Sequence, residues 1–400
     1  MKKRGRHAIV ADTVFDGATL HHGAAVIIEG AAIVGLMARG DLPARVPRRT
    51  LAEGAWLAPG FIDVQVNGGG DVLFNDTPTP AGIAAIVAAH RHFGTTGLMP
   101  TLISDSAEKM REASAAVTAA SGISPSVLGI HFEGPFLSPE RAGVHDPAMF
   151  RAPAPEDLDL LCARRGGATL MTLAPECVPS GFIASLVRAG VRVALGHSMA
   201  SYEETRAAIA EGLTGFTHLF NAMRPLSARE PGPIAAALEE SGAFYGLIVD
   251  GAHVAPAMLR LALRGAGQAM LVSDAMPPVG GTRHGFRLAG KPVRVEDGRC
   301  TTADGTLAGS LLDMASAVRN CVGLLDMTLP EALFLASAAP AAFLGLGDRL
   351  GHIAPGWRAD LVALEPAGVG VLATWVAGDE STAPPADRQC VLRDGRCAAS

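Results

Sequence analysis

The sequence predicts an α/β fold in which a (β/α)8 TIM-like barrel is joined to a small β-sandwich formed from both termini. Eight short apolar runs alternate with helical patterns through the middle of the chain. The two ends show strand-like alternation with Gly and Pro turns and no convincing long helix. The regular alternation of single strands and helices is the pattern of a parallel barrel.

The eight predicted strands are apolar runs of strand length, at residues 60–66, 97–101, 127–133, 169–173, 191–197, 215–218, 244–250 and 269–273. The predicted helices lie between them, at residues 79–92, 107–120, 156–163, 181–189, 202–211, 234–240 and 256–264. Each strand-like run alone is compatible with a buried helical segment. The repeated order of strand and helix therefore carries the prediction.

The flanks predict a second, smaller domain. Residues 8–57 and 351–377 alternate in the manner of antiparallel strands, and neither flank has enough apolar residues for a core of its own. We predict that residues 1–57 and 349–400 form the β-sandwich and that residues 58–348 form the barrel. The last stretch, residues 379–400, is predicted to be a loosely held tail or an edge strand.

Composition and charge exclude several classes of protein. The 400 residues carry a formal net charge of −6, whereas nucleic-acid binders usually have a basic face. The apolar run after the basic N-terminus is too short for a signal peptide, and no uninterrupted apolar span is long enough to cross a membrane. The six cysteines form no CxxC pair, so neither a disulfide framework nor a cysteine zinc site is indicated. We expect a cytoplasmic protein that binds neither nucleic acid nor membrane.

Ionisable side chains cluster where the third predicted strand ends. His131 and Glu133 are two residues apart, so a strand would point both to the same side. Gly134 and Pro135 then end the strand, and the following loop carries His145. Ionisable groups next to an apolar run are costly unless they bind or pair with something, so this segment is a candidate catalytic face.

A candidate metal site follows from polar residues at four predicted strand ends. Glu133, His197 and His218 end strands, and Asp274 follows the last one. One carboxylate and two imidazoles are a known donor set for catalytic Zn²⁺, although Fe²⁺, Co²⁺ and Mn²⁺ are alternatives. Any one of these histidines could instead be a hydrogen-bonded core residue, and Glu133 could be a structural carboxylate. Their joint placement at the end of a barrel where active sites form favours the metal site.

Other candidate residues have weaker support. His131 is expected to have a supporting or core role, and His90 and His92 are expected to be structural or exposed. Residues 68–70 are three glycines that resemble a phosphate loop, but no helix follows directly, so we predict a flexible turn.

Several motifs together resemble one enzyme family. They are PGFIDVQVN at 59–67, HFEGPF at 131–136, THLFNAM at 217–223, REPGP at 229–233, SDAM at 273–276 and TLAGS at 306–310. The sequence resembles, over nearly its whole length, the N-acetylglucosamine-6-phosphate deacetylase family of the amidohydrolase superfamily. That resemblance implies a barrel of the metal-dependent hydrolase type.

Two absences indicate a single metal ion. Many amidohydrolases bind a first metal through a His-x-His pair after strand 1, where this chain has Gln65 and Asn67. Some relatives bridge two metals with a carboxylated lysine, but none of the four lysines ends a predicted barrel strand. We therefore exclude a two-metal, lysine-bridged site, and the sequence is similar to the single-metal branch.

The resemblance implies a role for each matching residue. Glu133, His197 and His218 would hold the ion, Asp274 would transfer protons, and His145 would polarise the substrate carbonyl. The residues implied in substrate binding are Val144, His145, Asn221, Ala222, Arg229, Asp250, His253, Leu307, Ala308 and Gly309. Family members place the matching arginine in the neighbouring site, which implies a homodimer in which Arg229 does so; without the resemblance, Arg229 could be a solvated surface residue.

The implied reaction releases acetate from N-acetylglucosamine 6-phosphate and yields glucosamine 6-phosphate, in amino-sugar catabolism or recycling. Met199 and Ala252 depart from the family pattern, which leaves the hexosamine epimer open. The alternatives are a deacetylase of another N-acetylhexosamine phosphate or of an N-acyl amino acid, and an inactive barrel that serves as a scaffold. The four ionisable residues at the strand ends argue against a scaffold.

Overall fold

The structure is a computed structural model that describes residues 5–163 and 166–382, and the two short strands at Leu392–Arg393 and Arg396–Cys397. Over these residues, no helix has both the length and the apolar character needed to cross a membrane. The chain divides into two compact units. One consists of Met1–Asp63, His90–Gly97 and Asp313–Ser400, and the other of Val64–Ala89 and Leu98–Leu312. The predicted domain boundaries after residues 57 and 348 stay a prediction.

The N-terminal flank forms five strands. They are β1 (His7–Phe15), β2 (Leu20–Glu29), β3 (Ala32–Ala38), β4 (Arg48–Thr50) and β5 (Trp56–Pro59). β1 to β3 form an antiparallel meander, but β1 pairs in parallel with β4 and β5. The antiparallel pattern expected from the sequence is therefore wrong for these two pairs, because the chain crosses back after β3 and meets β1 in the same direction.

The middle of the chain forms a parallel sheet of eight strands in the order β15-β14-β13-β12-β11-β10-β9-β6. These strands are β6 (Phe61–Val66), β9 (Thr95–Ile103), β10 (Gly129–Glu133), β11 (Ala168–Leu173), β12 (Arg192–Leu195), β13 (Gly215–Phe216), β14 (Phe244–Leu247) and β15 (Gln268–Leu271). A parallel bridge between Val66 and Ala275 nearly closes the sheet. β9 and β10 are buried along their whole length, as expected for strands inside a parallel barrel. The predicted fold class is confirmed.

A short hairpin follows the first barrel strand, formed by β7 (Gly68–Gly69) and β8 (Val72–Leu73). The prediction of a plain flexible turn here is therefore wrong. The carboxylate of Asp71 at its tip accepts the backbone N–H of Thr282 and of Arg283, which holds the hairpin in place.

All seven predicted helices are present, with ends that shift by a residue or two. They are α1 (Pro80–Arg91), α2 (Ala107–Ser121), α3 (Pro155–Cys162), α4 (Phe182–Arg188), α5 (Tyr202–Ala210), α6 (Gly232–Glu239) and α7 (Pro256–Ala262). Side-chain caps set some of these ends. The Ser201 hydroxyl accepts the Glu204 N–H, and the Glu204 carboxylate accepts the Ser201 N–H, which forms a capping box at the start of α5.

Two groups of elements after β15 were not predicted. An antiparallel sheet comprises β16 (Gly285–Leu288), β17 (Lys291–Glu296) and β18 (Arg299–Thr301), and three helices follow: α8 (Met314–Leu325), α9 (Leu329–Ala336) and α10 (Ala338–Leu344). Only one residue of β17, Val293, is buried, so its apolar signal is weak. The helices are rich in buried alanine and lie in the unit that holds both termini.

The C-terminal flank joins the N-terminal strands, as predicted. β19 (Leu361–Glu365), β20 (Gly370–Val376) and β21 (Asp379–Thr382) complete a sheet in the order β21-β20-β19-β5-β1-β2-β3. Its core includes the buried side chains of Ile9, Val26, Leu57, Leu361 and Trp375.

The start of the predicted tail is an edge strand, because β21 pairs with β20 and with no other strand of the described residues. Beyond it, β22 (Leu392–Arg393) and β23 (Arg396–Cys397) pair antiparallel. The remaining residues of the tail lie outside the part of the chain that is described.

Candidate active site

Four ionisable residues meet at the C-terminal ends of the barrel strands. Glu133 is the last residue of β10, His197 and His218 lie just beyond β12 and β13, and Asp274 lies just beyond β15. His197, His218 and Asp274 have φ of 49°, 32° and 52°, respectively, in the left-handed region that disfavours residues with a side chain. The predicted strands that run through His197 and His218 are therefore too long, because a left-handed residue ends the extended backbone.

Glu133, His197 and His218 form one compact cluster. The Glu133 Oε1 atom lies 3.2 Å from His197 Nε2 and 3.0 Å from His218 Nε2, and the two Nε2 atoms are 3.1 Å apart. All three residues are buried, at 2%, 5% and 5% exposure, respectively. Each offers a ligand atom within 4.8 Å of the other two. The cluster has the atoms and the closeness that a single metal ion requires.

The electrostatics of the cluster favour a positive charge at its centre. Burial would raise the pKa of Glu133, but the hydrogen bonds and charges of the two imidazoles hold it well below its ordinary value. Burial would lower the pKa of His218, but Glu133 raises it above its ordinary value. Either a proton or a metal ion would supply this positive charge.

A backbone contact fixes the orientation of the His197 ring. His197 Nδ1–H donates to the carbonyl oxygen of Arg141 at 2.8 Å. That bond leaves the lone pair of Nε2 directed into the cluster, as is usual for histidines that bind metal ions.

Two amide side chains connect Asp274 with Glu133. Asn67 Nδ2 donates to Asp274 Oδ1 at 2.6 Å, and Gln65 Nε2 donates to the same oxygen at 3.2 Å and to Glu133 Oε1 at 3.1 Å. Burial, together with the charge of Glu133, raises the pKa of Asp274 to about 6. From the sequence, Gln65 and Asn67 were identified only as residues that stand in place of metal ligands. Gln65 and Asn67 are two residues apart, so a strand would point both side chains to the same side, and this spacing could have indicated that both face the barrel interior.

His145 is buried and held as a neutral imidazole. Burial lowers its pKa to about 3. The backbone N–H of Ser104 donates to its Nδ1 at 3.3 Å, and the Ser104 hydroxyl lies 2.9 Å from the same nitrogen. Because Nδ1 is an acceptor, the proton of the neutral ring is on Nε2, which is then available as a donor.

A cavity of about 490 Å³ contains this chemistry, since Glu133, His145, His197, His218 and Asp274 all line it. Six further residues that were predicted to bind substrate line it as well: Val144, Asn221, Ala222, His253, Leu307 and Gly309. Gly309 has φ of 61°, and a Cβ there would lie 2.5 Å from Met276 Cε and 2.9 Å from the Asp274 carbonyl oxygen. Glycine is therefore required at this close approach.

Three predicted substrate residues do not line the cavity. Asp250 stands behind His253, with its Oδ2 atom 2.6 Å from His253 Nδ1. Burial would raise the pKa of Asp250, but its contacts with His253 lower it. Ala308 is fully buried, and Arg229 is exposed on the surface.

Eight residues of the cavity lining were not predicted from the sequence: Ile103, Glu140, Arg141, Gly143, Ile248, Met276, Gly305 and Thr306. Most of them belong to loops that follow barrel strands. That position was a usable signal, because these loops form the active-site face of the fold.

His131 lies beneath the cluster in a buried polar layer. Its Nε2 lies 2.7 Å from Thr172 Oγ1 and its Nδ1 lies 3.3 Å from Thr101 Oγ1. Burial lowers the pKa of His131 to about 4, so the ring is neutral. These contacts agree with the supporting role expected of it. His90 is buried and His92 is exposed.

Comparison with known proteins gives consistent matches. The profile of the Amidohydrolase family matches residues 56–386. An N-acetylgalactosamine-6-phosphate deacetylase of Shewanella sp. (strain ANA-3) is 43% identical over 337 residues, which cover 83% of this chain and 84% of that protein. An N-acetylglucosamine-6-phosphate deacetylase of Haemophilus influenzae is 34% identical over 347 residues, which cover 86% of this chain and 91% of that protein. The crystal structure of N-acetylglucosamine-6-phosphate deacetylase from Pasteurella multocida has a TM-score of 0.91 at 34% identity, and covers 94% of this chain and 100% of that chain.

Proposed function

The chain belongs to the amidohydrolase family, and from this premise we propose that it hydrolyses N-acetyl-D-glucosamine 6-phosphate to D-glucosamine 6-phosphate and acetate. The observation that carries the proposal is the convergence of Glu133, His197 and His218 with the Asp274 carboxylate in one cavity. The cavity volume of about 490 Å³ lies in the range of small-molecule sites. The similar deacetylases support the class of substrate.

Glu133, His197 and His218 would hold one divalent metal ion per chain, and we propose Zn²⁺, for which imidazole and carboxylate ligands are suited. Such an ion supplies electrophilic activation of water and of the acetamide carbonyl. Gln65 and Asn67 are engaged with carboxylates and offer no second set of ligands. Elemental analysis of the metal-replete protein should give about one ion per chain, and two would contradict this assignment.

Asp274 is the proton-transfer group. Its carboxylate takes a proton from the water that attacks the acetamide carbon, and returns it to the amine nitrogen as the carbon–nitrogen bond breaks. The products are acetate and the free amine, so atoms balance. A pKa of about 6 suits this work, because a group that both accepts and donates a proton is most effective near the working pH.

His145 stabilises the charge that develops on the carbonyl oxygen. His145 lines the cavity that also contains Glu133, His197 and His218, and its ring stays neutral at ordinary pH with the proton on Nε2. A neutral donor strengthens its hydrogen bond as the oxygen becomes negative, which lowers the barrier.

The sugar and phosphate would be held by Val144, Asn221, Ala222, His253 and the 307–309 segment, with Asp250 orienting His253. Arg229 would reach the neighbouring site of a homodimer, which agrees with its exposure and its absence from the cavity of its own chain. The reaction would serve amino-sugar catabolism or recycling in the cytoplasm.

Acetate release tests the proposal directly. The metal-replete protein should release acetate from N-acetylglucosamine 6-phosphate much faster than from N-acetylglucosamine. Equal rates on both sugars would contradict the proposal and favour a deacetylase without a phosphate requirement. Hydrolysis of an N-acyl amino acid without acetate release from either sugar would favour an N-acyl amino acid deacylase. Inactivity on all of these substrates would favour an inactive barrel that serves as a scaffold.

A second candidate substrate is N-acetylgalactosamine 6-phosphate. The relative with 43% identity is named as a deacetylase of that epimer, whereas the Haemophilus influenzae deacetylase of the gluco epimer has 34% identity. The two epimers differ only in the orientation of one hydroxyl group. Comparing kcat/KM for both 6-phosphates under the same conditions decides between them.

A further inference from the structure

The cavity has one cationic side chain that the functional assignment does not use. Among the described residues that line it, Arg141 is the only arginine or lysine, whereas Glu133, Glu140 and Asp274 are acidic. A phosphorylated sugar brings close to two negative charges into this surrounding. We propose that Arg141 binds the phosphate group of the substrate within its own subunit and sets the preference for phosphorylated over unphosphorylated sugars. This inference rests on the proposed function.

The Arg141 guanidinium is available to an anion. The side chain is half-buried, and its Nε–H donates to the Sδ atom of Met199 at 2.9 Å. A thioether is only a weak acceptor and carries no charge. Over residues 5–163 and 166–382, the guanidinium forms no ion pair with a carboxylate. Its terminal N–H groups therefore keep the planar fork that suits a phosphate.

Hydrogen bonds connect Arg141, through its neighbours, with the segment at 221–222. Arg141 ends a short 3-10 helix after β10, and its carbonyl oxygen accepts the Nδ1–H of His197. Met199, against which its side chain lies, follows Ser198, and the Ser198 N–H donates to the carbonyl oxygen of Ala222 at 3.1 Å. The Arg141 side chain thus contacts a residue next to the one that bonds to Ala222, and both Arg141 and the segment at 221–222 line the cavity.

Met199 gains a role in this arrangement. No proposed catalytic step uses Met199. Its long apolar side chain supports the Arg141 guanidinium without neutralising it. An acidic residue at that place would pair with the arginine and weaken its hold on phosphate.

Arg141 and Arg229 would bring positive charge to the phosphate from two different subunits. Arg229 does not line the cavity of its own chain, and under the dimer proposal it comes from the partner. Arg141 would give each subunit a phosphate ligand of its own. The two contributions can be separated by substituting each arginine alone.

The test is the substitution Arg141→Met, which keeps most of the apolar stem and removes the charge. We expect KM for the sugar 6-phosphate to rise about 10- to 100-fold, the range for losing a hydrogen bond to a charged group, with kcat little changed. Activity on the unphosphorylated sugar should stay within about 2-fold of that of the unsubstituted protein. Arg141→Lys should recover part of the affinity, because it restores the charge but not the fork.

The matched control is Arg45→Met, at an exposed arginine that is not part of the cavity lining. This substitution should change the kinetic constants for neither the phosphorylated nor the unphosphorylated sugar. If Arg141→Met kept the full preference for the phosphorylated sugar, the inference would be wrong while the proposed function stood. An equal loss on both sugars, with lower metal content, would also overturn it, because Arg141 would then act only through its contact with His197. If the unsubstituted protein showed no preference for phosphate, both the inference and the proposed function would fail.

Discussion

His197, His218 and Asp274 share a backbone conformation that is uncommon for residues with a Cβ. Each adopts a positive φ immediately after a barrel strand. Such conformations cost of order 1–3 kcal/mol each and persist only where the surrounding structure supports them. Here the strain turns three polar side chains into the cavity at the point where the strands end. The placement of these side chains in the cavity therefore comes at a cost in backbone stability.

At the residue scale, Asp274 is expected to carry proton transfer and not metal binding. Asp274→Asn should lower kcat by about 100-fold or more, the range for removing a general acid–base group, because an amide cannot take the proton. The three proposed metal ligands are untouched, so metal content measured on the same preparation should stay near that of the unsubstituted protein. Unchanged turnover would remove Asp274 from the mechanism.

The hydrogen bond from Asn67 to Asp274 makes a prediction about pH. This bond lowers the pKa of Asp274, whereas burial and Glu133 raise it. Asn67→Ala removes only the lowering contribution, so the pKa of Asp274 should rise above its value of about 6. The proposed mechanism requires the ionised carboxylate, so the acid limb of the pH profile of kcat/KM should move to higher pH. A limb that stayed in place or moved to lower pH would contradict the assignment.

At the scale of elements, the loop after β10 is tied to helix α3 by one ion pair. The Arg151 guanidinium donates to both oxygens of Asp157, at 2.5 Å and 2.7 Å, and the Ala154 N–H donates to Asp157 Oδ2 at 2.7 Å. Asp157 is 3% exposed. The contact therefore holds the start of α3 and the end of the loop that carries His145.

Asp157→Asn should lower the free energy of unfolding by about 1–3 kcal/mol, as expected when a buried hydrogen bond to a charged group is lost. Burial would raise the pKa of Asp157, but Arg151 and the Ala154 N–H lower it. A lowered pKa stabilises the fold above the unfolded value of about 4, and this stabilisation is lost as the pH falls through the folded value. The difference between the two proteins in urea unfolding should therefore be largest near neutral pH and should shrink below about pH 4.

The matched control for this prediction is Asp159→Asn, because Asp159 is exposed on the same helix. It should change the free energy of unfolding by less than about 0.5 kcal/mol. Equal effects of the two substitutions would show that the ion pair contributes nothing specific.

At the scale of the whole molecule, barrel closure creates the site. Gln65 and Asp274 are 209 positions apart in the chain, yet two hydrogen bonds join them: Gln65 Nε2 donates to Asp274 Oδ1, and the Asp274 N–H donates to the Gln65 carbonyl oxygen. The contact exists because β6 lies at one end of the sheet order, β15 lies at the other, and the Val66–Ala275 bridge brings the two together. Substituting one residue at this seam therefore affects groups that come from both ends of the barrel.

The proposed dimer makes a prediction that needs two inactive variants. If Arg229 completes the neighbouring site, a dimer of one Arg229→Met subunit and one Asp274→Asn subunit has one site with both defects and one with neither. Refolding the two variants together should therefore recover activity that neither has alone. Mixtures that stay as inactive as their components, while mixed dimers are detected by mass, would show that Arg229 acts within its own subunit or not at all.

The amino-acid sequence by itself determined the order of barrel strands and helices and the residues that converge at the strand ends. The period of the apolar residues determines the order of strands and helices. Because a barrel places the C-terminal ends of its strands at one face, Glu133, His197, His218 and Asp274 were identifiable. It did not reveal β16–β18, whose apolar pattern is weak.

Only the tertiary structure decided how the side chains at the strand ends are held and which charges enter the cavity. The amide contacts of Gln65 and Asn67, the position of Arg141 in the cavity and the surface position of Arg229 depend on residues far apart in the chain. A pattern along the sequence records the local period of burial. Hydrogen bonds across a closed barrel depend on strand order, register and the backbone angles at strand ends, which no local pattern specifies.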